Sequence, residues 1–324
     1  MQQTDLLNLF SVSSIQRRDS TSQRGVKRAA LHNSIKRRQA TALHSAASSA
    51  PHSTISMDDF TLLSTTPYVF DRLRGDIRVY DSLPSTNTLL KQLAGSGGQE
   101  GLCVIADEQT AGRGRHQRQW ISTRGEGLYL SVLLRPQIAL DRLPLISFLG
   151  AVAMARAVSK VTKPVRAVNV DIKWPNDLLV NGKKACGVLV ESGLVGDRVA
   201  YVILGVGLNL YHQTFPNGLL YPATSLLLET GERLARINVV SEFLRAMDKS
   251  YQAFEQNPSS IVEEWASLSS FVHGKWVRIS LGDRTIEGIT RGVRADGALR
   301  VELKDGTVQE VLSGDVTSAH STDH

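Results

Sequence analysis

Apolar and polar positions follow two regimes that meet near residue 270. In the first, short apolar runs alternate with helical spacing. Ile77–Tyr80, Gly101–Asp107 and Gly127–Arg135 read as strands, and Ser85–Leu93 as a helix with Ser85 or Thr86 near its N-cap. Pro144–Val161 carries helical apolar spacing. Val170–Trp174 and Asp177–Asn181 flank a Pro-Asn-Asp turn, and Asn181–Gly182 supplies a hairpin turn into Ala185–Glu191. Tyr201–Leu210 reads as another strand, with helices over Val239–Gln256 and Ile261–Leu268. After Phe271 the pattern changes to short strands, Lys275–Leu281, Thr285–Val293, Leu299–Leu303 and Val308–Leu312, joined by Gly-Asp and Asp-Gly turns. That predicts a small antiparallel barrel.

A chain of 324 residues suits two domains and a tail. Hydrophobic residues make up 42% and charged residues 21%, enough for a buried core. No run of eighteen apolar residues occurs, so no membrane span is expected. Cys103 and Cys186 lie far apart in apolar runs and form neither a disulfide framework nor a zinc set, which favours a reducing compartment. The net charge of +6 is local. Residues 1–57 hold eight Lys and Arg against Asp5 and Asp19, leaving twenty-nine residues of either sign in the rest. A neutral body gives no reason to expect a nucleic-acid surface on it.

The segment 1–57 is expected to be a disordered basic extension, followed by a larger domain over 58–270, the barrel over 271–318 and a tail over 319–324. In the extension, the apolar cluster Leu6 to Ile15 precedes Arg17 and Arg18, the reverse of a secretory signal. Its Arg- and Ser-rich, acid-poor composition fits an organelle transit peptide, or else a disordered extension from a start codon placed too early, with Met57 beginning the folded protein. The location is then cytoplasmic, or a mitochondrion or plastid if the segment is a transit peptide. No shared apolar face of the kind a helix-turn-helix needs is present over 20–56.

Chemistry concentrates in four segments. Gln109-Thr-Ala-Gly-Arg-Gly-Arg-His-Gln-Arg-Gln-Trp120 follows a strand. Its Gly112 and Gly114 let backbone approach a ligand closely, and Arg113, Arg115 and Arg118 offer guanidinium forks to carboxylate or phosphate oxygens. The loop is neither a G-x-G-x-x-G dinucleotide turn nor a G-x-x-x-x-G-K-[ST] phosphate loop. Asp171-Ile-Lys-Trp-Pro-Asn-Asp177 places Lys173 at a strand end, where an ammonium can bridge a carboxylate and a phosphate oxygen. Lys183 to Glu191 adds Lys184 and a small residue, Gly187. Gly205-Val-Gly-Leu-Asn209 ends a buried strand with an amide able to read a purine edge. No H-E-x-x-H spacing and no nucleophile elbow is present.

In this order and spacing, together with Ser85-Thr86-Asn87, these segments resemble the biotin protein ligase family over about Ile77 to Val316. The resemblance implies an α+β fold: a mixed-sheet catalytic domain of the biotin/lipoate ligase type followed by an SH3-like β-barrel. It also implies two chemical steps. Biotin carboxylate attacks the α-phosphorus of ATP to give biotinyl-5′-AMP and pyrophosphate. A lysine of a biotin carboxyl carrier domain, from acetyl-CoA carboxylase or a related carboxylase, then takes the acyl group and releases AMP.

By the same resemblance Ser85, Thr86, Asn87 and Gln109 bind the ureido ring. Gly112, Arg113, Gly114 and Arg115 cover the biotin carboxylate and adenylate phosphate with help from Arg118, and Gly187 passes the valeryl chain. Lys173 is the main catalytic cation, with Arg115, and Asp177 assists deprotonation of the incoming lysine. Trp120, Lys184 and Asn209 join Arg115 and Arg118 on the nucleotide, Asn209 addressing adenine. Magnesium accompanies ATP through phosphates and water, without a protein metal site.

The chain departs from the family pattern at His116 and Gln117, where members often carry a third glycine and a basic residue. The distal loop is therefore expected to fold differently over the adenylate. Some relatives carry a nucleotide-contacting arginine past the last barrel strand, where the register here gives Ala319, so no barrel residue is assigned to catalysis. Specific DNA binding and membrane association are not expected, and a homodimer is left open. Three rival readings are a lipoate–protein ligase, a ligase that is also a DNA-binding biotin repressor, and an inactive biotin-binding module. The Gly-Arg-Gly-Arg loop with Lys-Trp-Pro-Asn-Asp speaks against the first, the aperiodic tail against the second, and intact Lys173 and Arg115 against the third.

Overall fold

The computed structural model describes residues 68–321; the expectations for 1–57 lie outside them. Two short strands, β1 (Tyr68–Val69) and β2 (Arg74–Gly75), form a minimal antiparallel ribbon ahead of the main sheet. That sheet contains β3 (Ile77–Tyr80), β4 (Cys103–Ala106), β5 (Gly127–Leu134), β6 (Val170–Lys173), β7 (Asp177–Val180), β8 (Lys183–Val195) and β9 (Arg198–Asn209). Its order is β3-β4-β5-β9-β8-β7-β6, with β3 and β4 parallel and every other pair antiparallel, the mixed sheet expected. The α1 helix (Thr86–Gly95) crosses between β3 and β4, as a parallel pair requires.

Behind the sheet lies α2 (Pro144–Thr162), started by a proline in its first turn. It is apolar on nearly all sides because it is enclosed: Leu145, Ile146, Phe148, Leu149, Val152, Met154 and Val158 are all buried against the sheet and neighbouring helices. Its length and hydropathy would suit a membrane span, yet that apolar surface forms the core. Burial of each such side chain contributes roughly 1.5–3 kcal/mol. The short α3 (Leu226–Thr230) is capped by Ser225, whose Oγ accepts from Leu228 N. The α4 (Arg236–Gln256) and α5 (Ser260–Ser267) helices pack beside α2, and Phe148 stacks on Trp265 at 4.5 Å.

The second unit of structure is β10 (His273–Ser280), β11 (Thr285–Val293), β12 (Leu299–Glu302), β13 (Val308–Val311) and β14 (Asp315–Ser321), antiparallel in the order β13-β12-β11-β10-β14. Its last strand pairs with β10 as far as Ser321, three residues past the limit read from the sequence. Side chains tie this barrel to the larger domain: Trp174 Nε1 donates to Gly297 O at 3.1 Å, and Arg142 Nη1 to Ala295 O at 2.8 Å. Positive φ at Gly297 and the bare Cα against Leu145 and Phe148 allow that turn to sit on α2.

Candidate active site

One cavity of about 390 Å³ opens where the C-terminal part of β9, the β7–β8 hairpin, the start of α1 and the 112–120 loop come together. Its neutral end is built from α1 and its neighbours. Ser85 is the N-cap by backbone geometry, makes no cap hydrogen bond and lines the cavity. Gln109 Oε1 accepts from Thr86 N at 2.9 Å and Thr86 Oγ1 at 3.1 Å, while its Nε2 donates to Ser122 Oγ. Asn87 Nδ2 donates to Glu191 Oε2 at 2.8 Å. Ser131 Oγ lies 2.6 Å from Asn87 Oδ1 and 2.7 Å from Thr86 Oγ1. The result is a buried amide-and-hydroxyl array, already ordered, of the type that receives a neutral polar ring.

Five cations surround the rest, each held by a carboxylate. Lys173 Nζ lies 2.8 Å and Lys184 Nζ 2.7 Å from the two oxygens of buried Asp177. Arg113 pairs with Glu191 at 2.9 Å. Arg115 and Arg118 pair with Asp315 at 3.4 and 2.6 Å. Arg115 Nη1 also donates to Asn176 Oδ1 and Gly314 O, and Lys173 Nζ donates to Val316 O at 3.2 Å. Arg115 and Lys173 thus bracket the same tripeptide and face one cavity. Five cations against three carboxylates leave a positive excess, which suits an anionic ligand.

The sequence-derived residues come together with few exceptions. Arg113, Gly114, Arg115 and Arg118 line the cavity, together with Lys173, Asp177 and Lys184 and with Trp120, Gly187 and Asn209. Gly112 packs behind: a Cβ there would meet Trp120 O at 2.4 Å and Ser122 Oγ at 2.6 Å. The space above Gly187 belongs to the Trp120 indole, which lies across Gly187 and Gly207 with its Nε1 buried and without a hydrogen-bond partner. Lys184 Nζ sits 5.4 Å from that ring. Asn209 Nδ2 is committed to Thr224 O at 3.0 Å.

Asp177 differs most from its expected part. Burial alone would raise its carboxyl, but the adjacent Lys173 and Lys184 outweigh that and hold it down at about 2. Both oxygens are engaged and the group is a weak base, so the geometry suits aiming two ammonium groups rather than taking a proton. The barrel, from which no site residue was expected, reaches the site through Asp315 and the carbonyls of Gly314 and Val316.

Other unread contributors are Ser131, a lone hydroxyl in an apolar strand, and Asn176, which orients Arg115. The segment after β9 adds Tyr221, whose ring lies 4.9 Å from Lys173 Nζ, and buried His212, stacked on Phe215. Burial lowers the His212 imidazole's affinity for a proton, Glu126 opposing. For His212 and Tyr221, the only signal in sequence was an aromatic and histidine cluster just past Gly205–Asn209.

The description of the Biotin/lipoate A/B protein ligase family matches residues 79–209, and that of the Biotin protein ligase C terminal domain matches 272–317. The chain is 35% identical over 240 residues to the bifunctional ligase/repressor BirA of Bacillus subtilis, covering 73% of this chain and 72% of that protein. It is 32% identical over 235 residues to the biotin–[acetyl-CoA-carboxylase] ligase of Mycobacterium tuberculosis, covering 72% and 85%. Among solved structures, the biotin protein ligase of Aquifex aeolicus in complex with biotin and ATP superposes with a TM-score of 0.62 at 28% identity, over 78% of this chain and all of the other. With its fold, its barrel and its cation-lined cavity all in agreement, the chain belongs to the biotin protein ligase family.

Proposed function

We propose that this enzyme attaches biotin to a lysine of a biotin carboxyl carrier domain through biotinyl-5′-AMP, with ATP as co-substrate. One observation carries the reading: a preordered neutral array and a ring of five cations share a single cavity. The array of Ser85, Thr86, Asn87 and Gln109 supplies the donors and acceptors a ureido ring needs. The cations permit two anions, a carboxylate and a triphosphate, to approach within bonding distance. The carboxylate oxygen bonds to the α-phosphorus as the bond to pyrophosphate breaks. Then the carrier amine bonds to the acyl carbon, AMP departs with the electron pair of the cleaved C–O bond, and the amine's surplus proton passes to water.

Lys173 is assigned the charge at the acyl–phosphate junction; its contacts with Asp177 and Val316 O, which fix the ammonium in the cavity, support that role. Arg115 and Arg118 serve the phosphate, while Trp120, Lys184 and Asn209 form the nucleotide side. Among the described residues no group of three or more His, Cys, Asp or Glu could hold a metal. Asp177, Asp315 and Glu191 are each engaged by cations. These residues fit a magnesium ion that arrives on ATP, bound through phosphate oxygens and water, where it would neutralise phosphate charge.

The test is incubation of the full chain with biotin, ATP and a carrier domain, reading the carrier's mass. Gain of one biotinyl group, lost when the carrier lysine is replaced, is the expected outcome. Transfer of lipoate but not biotin would assign the cavity to the sister activity.

A further inference from the structure

The 113–118 loop contains two consecutive non-glycine residues in left-handed backbone, His116 (φ 53°) and Gln117 (φ 59°), a conformation L side chains adopt only when something holds it. Asp315 is what the flanking side chains share. Arg115, just before the pair, lies 3.4 Å from its Oδ1; Arg118, just after, 2.6 Å from its Oδ2; His116 Nε2 is 3.6 Å from the same oxygen. Asp315 is itself rigidly placed. It opens β14 in register with Ser280, and the preceding Gly314 runs so close to Ile279 and Leu281 that a Cβ would meet each at 2.7 Å.

We propose that Asp315 is a positioning residue of the ligase reaction: carried on the barrel, its carboxylate clamps the anion-binding loop over the cavity before substrate arrives. The proposal deepens the biotin ligase reading and rests on it. The clamp occupies one terminal nitrogen of each guanidinium, and each arginine has five N–H donors, so a phosphate can be received while the clamp stays made. Docking of the barrel does not need this carboxylate, since Trp174 and Arg142 already fasten it. The side chain holds the loop rather than the domain.

The experiment compares wild type with Asp315→Asn, Asp315→Glu and Arg142→Ala in two assays on the full chain. The first is limited trypsin digestion without ligand, scoring cuts after Arg113, Arg115 and Arg118. The second is the rate at which preformed biotinyl-5′-AMP leaves the enzyme. Loss of a charge-assisted clamp predicts about tenfold acceleration of both in Asp315→Asn. Asp315→Glu should recover most of each rate, and Arg142→Ala, which loosens barrel docking alone, should match wild type. Asp315→Asn cut at the wild-type rate, no recovery by Glu, or equal acceleration by Arg142→Ala would each overturn the clamp. If wild type fails to form biotinyl-5′-AMP, the ligase reading falls, and the digestion still decides the clamp.

Discussion

Gly205→Ala adds one methyl group, and the structure makes its consequence specific. The new Cβ would lie 2.1 Å from Asn87 Oδ1 and 2.8 Å from its Cγ, closer than real contacts allow. Backbone φ at Gly205 is not left-handed, so an alanine meets no conformational obstacle and the clash alone decides. Asn87 must rotate away, breaking its contacts with Ser131 Oγ at 2.6 Å and Glu191 Oε2 at 2.8 Å inside the buried array. Overpacking costs roughly 1–3 kcal/mol, and each buried polar group left unsatisfied about 1–3 kcal/mol more. Relaxation around β5 and α1 absorbs part, leaving the fold weakened by about 2–4 kcal/mol. Biotin, whose ureido ring the array is proposed to receive, should bind about 10–100-fold more weakly, one or two mispositioned hydrogen bonds at about 1.4 kcal/mol per tenfold. Titration calorimetry with biotin reads the affinity, and a urea melt reads the fold. Wild-type affinity in a folded Gly205→Ala protein would remove Asn87 from biotin recognition. The milder neighbour is Gly187→Ala, whose Cβ would approach Trp120 at 3.0 Å.

Lys173→Ala should lower adenylate formation by about 10²–10³-fold, the scale for losing one preorganised stabiliser of transition-state charge, with biotin binding largely kept; wild-type pyrophosphate release would contradict that role. Asp177 is held at about 2 by two lysines, below the ordinary carboxylate value near 4. Its stabilisation is therefore complete above pH 4 and is lost as pH falls through 2, an effect on the order of 2 kcal/mol. Wild-type stability should drop more steeply than that of Asp177→Asn across this window, and parallel curves would refute the ion-pair account. Cys103 and Cys186 are buried, and burial pushes both thiols up, Cys103 to about 12. A disulfide reagent at pH 8 should therefore label neither before unfolding; rapid labelling of the native protein would show that the sheet opens locally. A gel shift on the gene's own upstream region, with biotin and ATP, should show no specific retardation. Retardation would instead favour a second activity of the kind named for the ligase/repressor relatives.

Much of this arrangement was legible because local chemistry is dense. The strand positions follow apolar runs that the sheet buries, and α2 keeps its predicted start and ends within one residue of its predicted limit. The loop in which Gly and Arg occur together, read as a surface for an anion, is one that lines the cation-rich cavity. What escaped depends on register and distance. The β8–β9 hairpin continues past Glu191 to exposed Leu194 and Val195, where no burial pattern marks a strand. The α3 helix, five residues long, is too short to show a period. Asp177 looked like a free base because its second partner, Lys184, reaches it only across the turn into β8. Ser131 is silent in sequence because one hydroxyl in an apolar strand does not reveal what it faces. Asp315 acts on a loop about two hundred residues earlier, which no spacing rule connects.

Carboxylate and α-phosphate are proposed to meet in this cavity. Biotin-dependent exchange of labelled pyrophosphate into ATP tests it without any carrier protein. Exchange is expected with biotin, absent without it, and about 10²–10³-fold slower in Lys173→Ala. Absence of exchange with biotin in the folded wild-type enzyme, or exchange supported by lipoate alone, would contradict it.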